Sequence, residues 1–258
     1  MPQNAYEWNR QKASWATLKR LHPTPIDLNA ISVLRTAADE DLRDTRRLEA
    51  RLAELGLNDE ALGEFPTALH AHCGRGLRLW QYPIQFSKYL VHLSRLGVRS
   101  YLEIGIRHGG SFVTTVEYLE RFHPLAFAVG VDIIPCPAMA NYQECNPKAQ
   151  FWCHNTCAAD FPARLDGLGP VDLVFIDSHH QEKQCRTELD MLAERASIIA
   201  FHDITNIGCP GVGRVWRAVT ALPDYECHEY VEQYGALGPF MGIGLAINKQ
   251  RVRHQEVR

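Results

Sequence analysis

Residues 100–111 read Ser-Tyr-Leu-Glu-Ile-Gly-Ile-Arg-His-Gly-Gly-Ser, and they predict a buried strand that breaks into a glycine turn. Apolar residues then recur at the spacing of one helical face, at Phe112, Val113, Val116, Leu119 and Phe122. Gly105 allows a tight turn, while Gly109 and Gly110 let a ligand approach the backbone closely. The predicted helix offers unpaired N–H groups at its start. The stretch therefore indicates a strand, a ligand-binding turn and a helix.

The spacing of these glycines differs from that of a dinucleotide-binding turn. The motif is Glu103-x-Gly105-x-x-x-Gly109-Gly110, whereas the dinucleotide fingerprint is G-x-G-x-x-G. Glu103 stands where its carboxylate can reach the cationic end of a ligand. An ordinary strand, turn and helix without a ligand is the alternative interpretation.

Length and composition limit the classes of protein to which the chain can belong. The 258 residues suffice for one large α/β domain with an extension, and 46% hydrophobic and 22% charged residues are typical of a globular protein. The formal net charge of −3 gives no basic field, so we expect no nucleic-acid partner. No apolar run of about 18 residues occurs, so we expect no membrane partner and no membrane span.

The first residues and the cysteines indicate a cytoplasmic protein. The N-terminus lacks the basic start and apolar run of a signal peptide. None of the eight cysteines forms a C-x-x-C pair, so we expect reduced thiols rather than a disulfide framework. Cys153, His154 and Cys157 offer a zinc site as a less favoured alternative.

The chain divides into three parts by pattern. Residues 1–80 predict a helical extension that serves as a lid or in oligomerisation, with a short helix around Trp8 and Trp15 and a longer helix over 37–55. Residues 81–248 form the main domain, and residues 249–258 a basic tail. Gln81, Tyr82 and Gln85 are the lid candidates, and the N-terminal helices make a homo-oligomer an expectation.

Short apolar runs alternate with helical patterns from residue 100 onward. The predicted strands after the first cover residues 126–131, 151–154, 171–176, 197–201 and 242–248. This alternation predicts an α/β fold with a Rossmann-like open, mostly parallel twisted sheet and helices on both faces. Ligands of such a sheet bind outside the carboxyl ends of the strands.

Three of these strands lead into an aspartate. Asp132 follows the strand after the glycine turn, where a carboxylate can accept the two ribose hydroxyls of a nucleoside; a turn or N-cap aspartate is the alternative. Asp177 follows the run 171–176 and precedes two histidines, while Asp203 follows the next strand. If Asp177 and Asp203 meet, either a cation such as Mg²⁺ lies between them or a histidine acts there as a base.

These features in this order resemble the class I S-adenosylmethionine (SAM)-dependent methyltransferases. More narrowly, the chain resembles the small-molecule and sugar O-methyltransferases grouped with cephalosporin hydroxylase-like proteins. The resemblance rests on Leu-Glu-Ile-Gly-x-x-x-Gly-Gly-Ser at 102–111, Phe-Ile-Asp-x-x-His at 175–180, His-Asp at 202–203 and Gly-Val at 211–212. It covers about residues 81–248.

The resemblance implies SAM as the cofactor and transfer of its methyl group to a hydroxyl of a small molecule. The acceptor would be a sugar or a glycosylated secondary metabolite, as in antibiotic biosynthesis. The implied cofactor-binding residues are Glu103, Gly105, Gly109, Ser111, Asp132, Asn155, Thr156 and Asp177. A nicotinamide-type oxidoreductase and a non-catalytic SAM-binding or scaffold protein are the alternatives.

His180 is the expected general base, with His179 and His202 as rivals. Asp177 and Asp203 are the tentative ligands of a possible Mg²⁺. The family's acidic pair after the later strand is here His202–Asp203, and His179 stands where a second acid is common. The implied metal-ligand set is therefore incomplete.

Overall fold

The computed structural model describes residues 24–60, 62–235 and 238–252. Its strands are β1 Ser100–Ile104, β2 Phe127–Asp132, β3 Ala149–Cys153, β4 Val171–Ile176, β5 Ala196–His202, β6 Tyr225–Tyr230 and β7 Ile243–Asn248. They form one sheet in the order β3-β2-β1-β4-β5-β7-β6. Strands β1 to β5 are parallel, and β7 is antiparallel to β5 and β6. The predicted fold class is confirmed.

Helices cover both faces of this sheet. They are α1 Ser32–Arg35, α2 Asp39–Arg43, α3 Thr45–Glu54, α4 Pro83–Leu93, α5 Gly110–Glu120, α6 Ala138–Cys145, α7 Phe161–Asp166, α8 Glu182–Leu192 and α9 Pro210–Thr220, with short 3-10 helices at Leu28–Ile31, Leu62–Glu64 and Thr67–His72. Successive residues of a strand point to opposite faces. Tyr101 accordingly joins one buried apolar cluster and Leu102 the other.

The strand order reverses between β1 and β4, and this reversal determines where a ligand can bind. β1 pairs with β2 on one side and with β4 on the other. The chain leaves these two strands in opposite directions across the sheet, which opens a crevice at their carboxyl ends. Gly105 and Asp177 follow the last residues of β1 and β4 and therefore flank this crevice.

Among the strands, β6 is the one that the sequence did not predict. Its segment, Tyr-Glu-Cys-His-Glu-Tyr, alternates polar and less polar residues and only its last residue is buried. Within the described part of the chain it pairs with β7 alone and lies at the edge of the sheet. An edge strand with charged residues resembles a loop in composition, which explains why the apolar pattern missed it.

The predicted helix over 37–55 is wrong as a single helix. Asp44 interrupts it with an extended backbone, and its Oδ1 accepts hydrogen bonds from the backbone N–H groups of Arg46 (3.0 Å) and Arg47 (2.9 Å). A side chain that caps the next helix competes with continuation of the previous one. The segment therefore forms two helices, Asp39–Arg43 and Thr45–Glu54.

The described part of the N-terminal segment packs on the main domain. Leu34, Leu42 and Leu48 are fully buried in the apolar cluster that contains Tyr101. Arg35 Nε donates to Glu117 Oε2 across this contact at 2.7 Å. The division of the chain at residues 80 and 248 stays a prediction.

Two predictions fall outside the described residues: the helix around Trp8 and Trp15, and most of the basic tail. In the described ranges, no helix is both long and apolar enough to cross a lipid bilayer. All eight cysteines lie within these ranges, and no disulfide joins them there.

Candidate active site

The glycine turn joins the ends of two strands. Gly105 has φ +90°, and its N–H donates to the carbonyl oxygen of Val131 at 2.8 Å. A Cβ atom at this position would lie 2.0 Å from the backbone oxygen of Asp177. Only glycine allows both this conformation and this close approach. The turn therefore sets the position of Asp177 relative to β1.

Gly109 and Gly110 are approached by protein groups. Gly109 has φ +89° and precedes helix α5, and a Cβ there would lie 3.1 Å from Met139 Sδ. A Cβ on Gly110 would lie 2.1 Å from the carbonyl oxygen of Leu77. Leu77 thus occupies part of the space in which we expected a ligand. Contact of SAM with Gly109 stays a prediction.

Glu103 is fully buried beneath this turn. Its carboxyl group accepts hydrogen bonds from the hydroxyl groups of Tyr101 (2.5 Å) and Ser111. Burial raises the pKa of Glu103 to about 8, although both hydroxyl donors oppose the shift. Ser111, an expected cofactor-binding residue, therefore contacts Glu103 in the described structure.

Asp132 organises the turn through its side chain. Oδ2 accepts a hydrogen bond from the N–H of Arg107 at 2.8 Å, and Oδ1 accepts one from the N–H of Ile134 at 3.0 Å. These hydrogen bonds are typical of a turn aspartate, which was the alternative to ribose binding for Asp132. Burial raises the pKa of Asp132, while these backbone donors oppose the shift. Each carboxylate oxygen can accept a second hydrogen bond, so ribose recognition stays a prediction.

The two residues expected near adenine have different surroundings. Asn155 is exposed, and its Oδ1 accepts from the N–H of Cys157 at 2.9 Å. Thr156 is buried, and its hydroxyl donates to Glu188 Oε1 at 2.6 Å. Glu188 Oε2 also accepts from the hydroxyl of Ser178 at 2.5 Å. No pattern in the chain indicates that Glu188, in the middle of a helix, links the ends of β3 and β4.

Asp177 and Asp203 lie on two sides of one histidine. His180 Nε2 is 3.2 Å from Asp177 Oδ1 and 3.2 Å from Asp203 Oδ2. His202 Nδ1 lies 3.0 Å from the same Asp177 oxygen. Of the two alternatives for this pair of aspartates, a bound cation or a histidine between them, the arrangement corresponds to the histidine.

The carboxylates define which nitrogen of each histidine carries hydrogen. A carboxylate accepts hydrogen bonds, so His180 Nε2 and His202 Nδ1 are the donors. His180 Nδ1 and His202 Nε2 are then the nitrogens that can accept a proton. The side chain of His180 is 26% exposed, whereas that of His202 is 5% exposed. The imidazole of His180 is therefore the more accessible of the two, and His179 is exposed at the surface beside it.

Asp177 is an anion in this arrangement. Burial acts to raise its pKa, but the imidazole groups of His202 and His180 outweigh burial and hold the pKa below its ordinary value. An ionised Asp177 in turn orients both imidazole rings.

Asp203 was predicted from the sequence, but two residues that contact it were missed. Asp203 has φ +63° and accepts from Asn206 Nδ2 at 2.8 Å and from Cys209 Sγ at 3.1 Å. A non-glycine residue in this conformation is uncommon and often marks a functional position. Asn206 and Cys209 follow in the next loop, and no spacing rule connected them to Asp203.

The N-terminal lid candidates separate into two groups. Gln81 Nε2 donates to Asp177 Oδ2 at 3.3 Å, so Gln81 lies in the site. The hydroxyl of Tyr82 donates to the backbone oxygen of Glu64. Gln85 Nε2 donates to the backbone oxygen of Glu232 at 2.7 Å. Tyr82 and Gln85 thus bind backbone groups of connecting segments.

The donors at the site do not fit the Mg²⁺ that the family resemblance implies. Mg²⁺ prefers oxygen ligands in near-octahedral geometry. The described residues form two groups of potential ligands, Asp177 with His180 and His202, and His180 with Asp203 and Cys209. Each group holds a single carboxylate, and the other donors are imidazole nitrogens or a thiol.

The central part of the chain matches a family of known proteins. Residues 102–204 match a family model described as a methyltransferase domain. No curated protein matches the sequence. This match covers less than half of the chain, and the strand order of the sheet is that of the class I SAM-dependent methyltransferase fold.

Solved structures resemble the chain at low identity. Cofactor-bound Rv0187 from MTB has 17% identity and a TM-score of 0.51, with 88% of this chain and 99% of that chain covered. TomG, an O-methyltransferase from Streptomyces achromogenes involved in tomaymycin synthesis, has 20% identity, a TM-score of 0.49 and coverages of 66% and 81%. An O-methyltransferase from Bacillus cereus has 16% identity, a TM-score of 0.47 and coverages of 85% and 96%. At such identities the likeness concerns the fold alone.

Proposed function

We propose that the protein transfers the methyl group of SAM to a hydroxyl group of a small molecule. The observation that carries this proposal is the position of His180 between two carboxylates beside the glycine turn. A hydroxyl acceptor must lose a proton, and a carboxylate-oriented imidazole is suited to receive it.

The residues at the site can accept the proton that the acceptor hydroxyl loses during methyl transfer. The acceptor oxygen attacks the methyl carbon in line with the sulfur, and the carbon–sulfur bond breaks. The sulfonium becomes the neutral thioether of S-adenosylhomocysteine (SAH), and the hydroxyl proton moves to His180 Nδ1. Asp177 and Asp203 accept the Nε2 hydrogen and stabilise the imidazolium that forms. His202 and His179 are the alternative bases.

The cofactor lies at the carboxyl ends of β1 and β2 in this proposal. Glu103 and the backbone at Gly105 hold the methionine end, and Asp132 holds the ribose. Asn155 lies nearer the adenine than the buried Thr156, while Gly109, Ser111 and Asp177 complete the surroundings. The acceptor class, a sugar or a glycosylated metabolite of antibiotic biosynthesis, rests on the sequence resemblance, whereas the proposal of a homo-oligomer rests on the N-terminal helices. Asp177 and Asp203 supply too few oxygen donors for us to assign Mg²⁺ a step.

Calorimetric titration of SAH and of NAD, followed by a methyl-transfer assay with radiolabelled SAM, tests the proposal. We expect micromolar binding of SAH, no binding of NAD and transfer of label to hydroxylated acceptors such as sugars and phenols. Binding of NAD alone, or of neither compound, would refute the proposal.

The affinity for SAH should depend on pH through Glu103. Its carboxyl group is neutral below a pKa of about 8 and charged above it. Because the α-ammonium group of SAH binds the anion better than the acid, affinity should rise with pH by up to about tenfold per unit on the acid side of pH 8. Titrations between pH 6 and 9 measure this slope. Glu103→Gln should bind more weakly and without the slope; an unchanged slope would remove Glu103 from the cofactor site.

We also propose that residues 24–80 act as a lid over the glycine turn. Glu60 Oε2 is 3.1 Å from Arg107 Nη2, and Glu60 Oε1 is 2.9 Å from His108 Nε2. The Glu60 side chain is 4% exposed. A buried pair of this kind is costly to break, because the remaining charge is left without compensation. Glu60 thus fastens the N-terminal segment to the turn.

Glu60→Ala should lower the affinity for SAH about tenfold by releasing the turn. The neighbouring Asp59 provides the matched control, since it pairs with Arg78 and its side chain is 46% exposed. Exposed ion pairs contribute little, so Asp59→Ala should bind SAH as the unmodified protein does. Equal affinities for all three proteins in calorimetry would contradict the lid proposal.

A further inference from the structure

A buried sulfur ligand adjoins the candidate active site. Cys209 Sγ lies 3.1 Å from Asp203 Oδ2, and His180 Nε2 lies 3.2 Å from the same oxygen. All three atoms lie within 4.8 Å of one another. Ligands of a tetrahedral Zn²⁺ are about 3.4–3.6 Å apart, as metal–ligand distances of about 2.0–2.3 Å require. The two separations from Asp203 Oδ2 need to widen by only a few tenths of an ångström to enclose such an ion, and the third, between His180 and Cys209, lies within 4.8 Å.

The chemistry of these donors selects a particular class of metal. A nitrogen, oxygen and sulfur set suits Zn²⁺ and related transition metals, whereas Mg²⁺ prefers oxygen alone. Asp203 is 2% exposed and Cys209 is 1% exposed. Residues this buried lie in fixed positions, and three protein ligands leave the fourth position of a tetrahedral ion to a water molecule. The ligand atoms of Asp177, His180 and His202 form a second, overlapping group that shares His180.

Gln81 gives an independent indication of a ligand. It is 1% exposed and its Nε2 donates to Asp177 Oδ2. Its Oε1 is buried and has no hydrogen-bond partner among the described residues. A buried acceptor without a donor is costly, and native structures usually supply one. A water molecule bound to a metal at His180 could provide it.

We propose that His180, Asp203 and Cys209 bind a zinc-class divalent cation. Binding removes the thiol proton of Cys209, which passes to the solvent, and the thiolate coordinates the ion. An imidazole that coordinates through Nε2 carries its hydrogen on Nδ1. The metal-bound form therefore cannot accept the hydroxyl proton at His180, and zinc should inhibit methyl transfer reversibly.

Titration of the purified full-length protein with Co²⁺, used as a spectroscopic substitute for Zn²⁺, tests the site. We expect one equivalent to bind with the visible absorption of a tetrahedral ion and a thiolate-to-cobalt charge-transfer band. Cys209→Ser should abolish the charge-transfer band and weaken Zn²⁺ binding about 100-fold. The double variant Cys153→Ser/Cys157→Ser is the matched control, because it removes two exposed thiols beside His154 and leaves Cys209 in place.

Circular dichroism of Cys209→Ser checks that the variant is folded. The metal site would be overturned if the protein did not bind Co²⁺ or preferred Mg²⁺. It would also be overturned if the double variant lost the charge-transfer band and Cys209→Ser kept it. None of these outcomes bears on SAH binding or methyl transfer by the metal-free protein. If the zinc-loaded protein transferred methyl groups at the full rate, His180 would not be the base, but the proposal of the metal site would be unaffected.

Discussion

His180→Ala is expected to reduce the rate of methyl transfer by roughly 10²- to 10⁴-fold, the usual contribution of a positioned general base. The affinity for SAH should change little, because the cofactor is held by the turn around Gly105 and by the end of β2. The effect should fall on kcat, since proton removal occurs only as the new carbon–oxygen bond forms. Steady-state kinetics with SAM and a hydroxylated acceptor, together with SAH calorimetry, separate the two quantities.

Two neighbouring histidines provide the comparison for this variant. His179→Ala removes an exposed imidazole next in sequence, and we expect it to keep most of the activity. His202→Ala removes the second imidazole on Asp177 and should have an intermediate effect through the orientation of that carboxylate. Full activity of His180→Ala would exclude its role as base, and a larger loss in His179→Ala would transfer the role to that residue.

Gly105→Ala is expected to destabilise the protein by about 2–5 kcal/mol, combining about 1–2 kcal/mol for the left-handed backbone with about 1–3 kcal/mol for overpacking. The added Cβ would lie 2.0 Å from the backbone oxygen of Asp177, so β1 and β4 must separate at their carboxyl ends. SAH binding should be lost as well, because the turn and Asp177 both move. Denaturant unfolding and SAH calorimetry measure the two losses.

Gly169→Ala is the matched control for that variant. Gly169 has φ +71°, but nothing lies within 4 Å of an added Cβ. It should therefore show only the backbone cost of about 1–2 kcal/mol and should bind SAH normally. If the two variants lose equal stability, the close contact between Gly105 and Asp177 contributes nothing to the fold.

Much of the framework of the site could be predicted from local patterns. The strands that end at Ile104, Asp132 and Ile176 are marked by apolar runs followed by glycine or aspartate. Parallel strands bring their carboxyl ends to one edge, so Asp177 and Asp203 were expected to meet. The structure brings them to the two sides of His180.

Other parts of the site could not be predicted from local patterns. Gln81 reaches Asp177 from a segment 96 positions earlier, and Glu60 reaches His108 from a segment 48 positions earlier. Glu188 is an acidic helix residue that only the packing of α8 brings to Thr156. Such contacts depend on how elements pack, and no spacing in the chain encodes them.

The sequence by itself determined the α/β class, the glycine turn and the acids at the strand ends, because these features arise from periodicity and from residues that only certain backbone conformations accept. The tertiary structure decided which groups meet. It placed Leu77 against Gly110, Gln81 against Asp177, and Cys209 against Asp203. The physical reason is that a buried polar group must find a partner wherever the packed chain supplies one, and that supply depends on the whole fold.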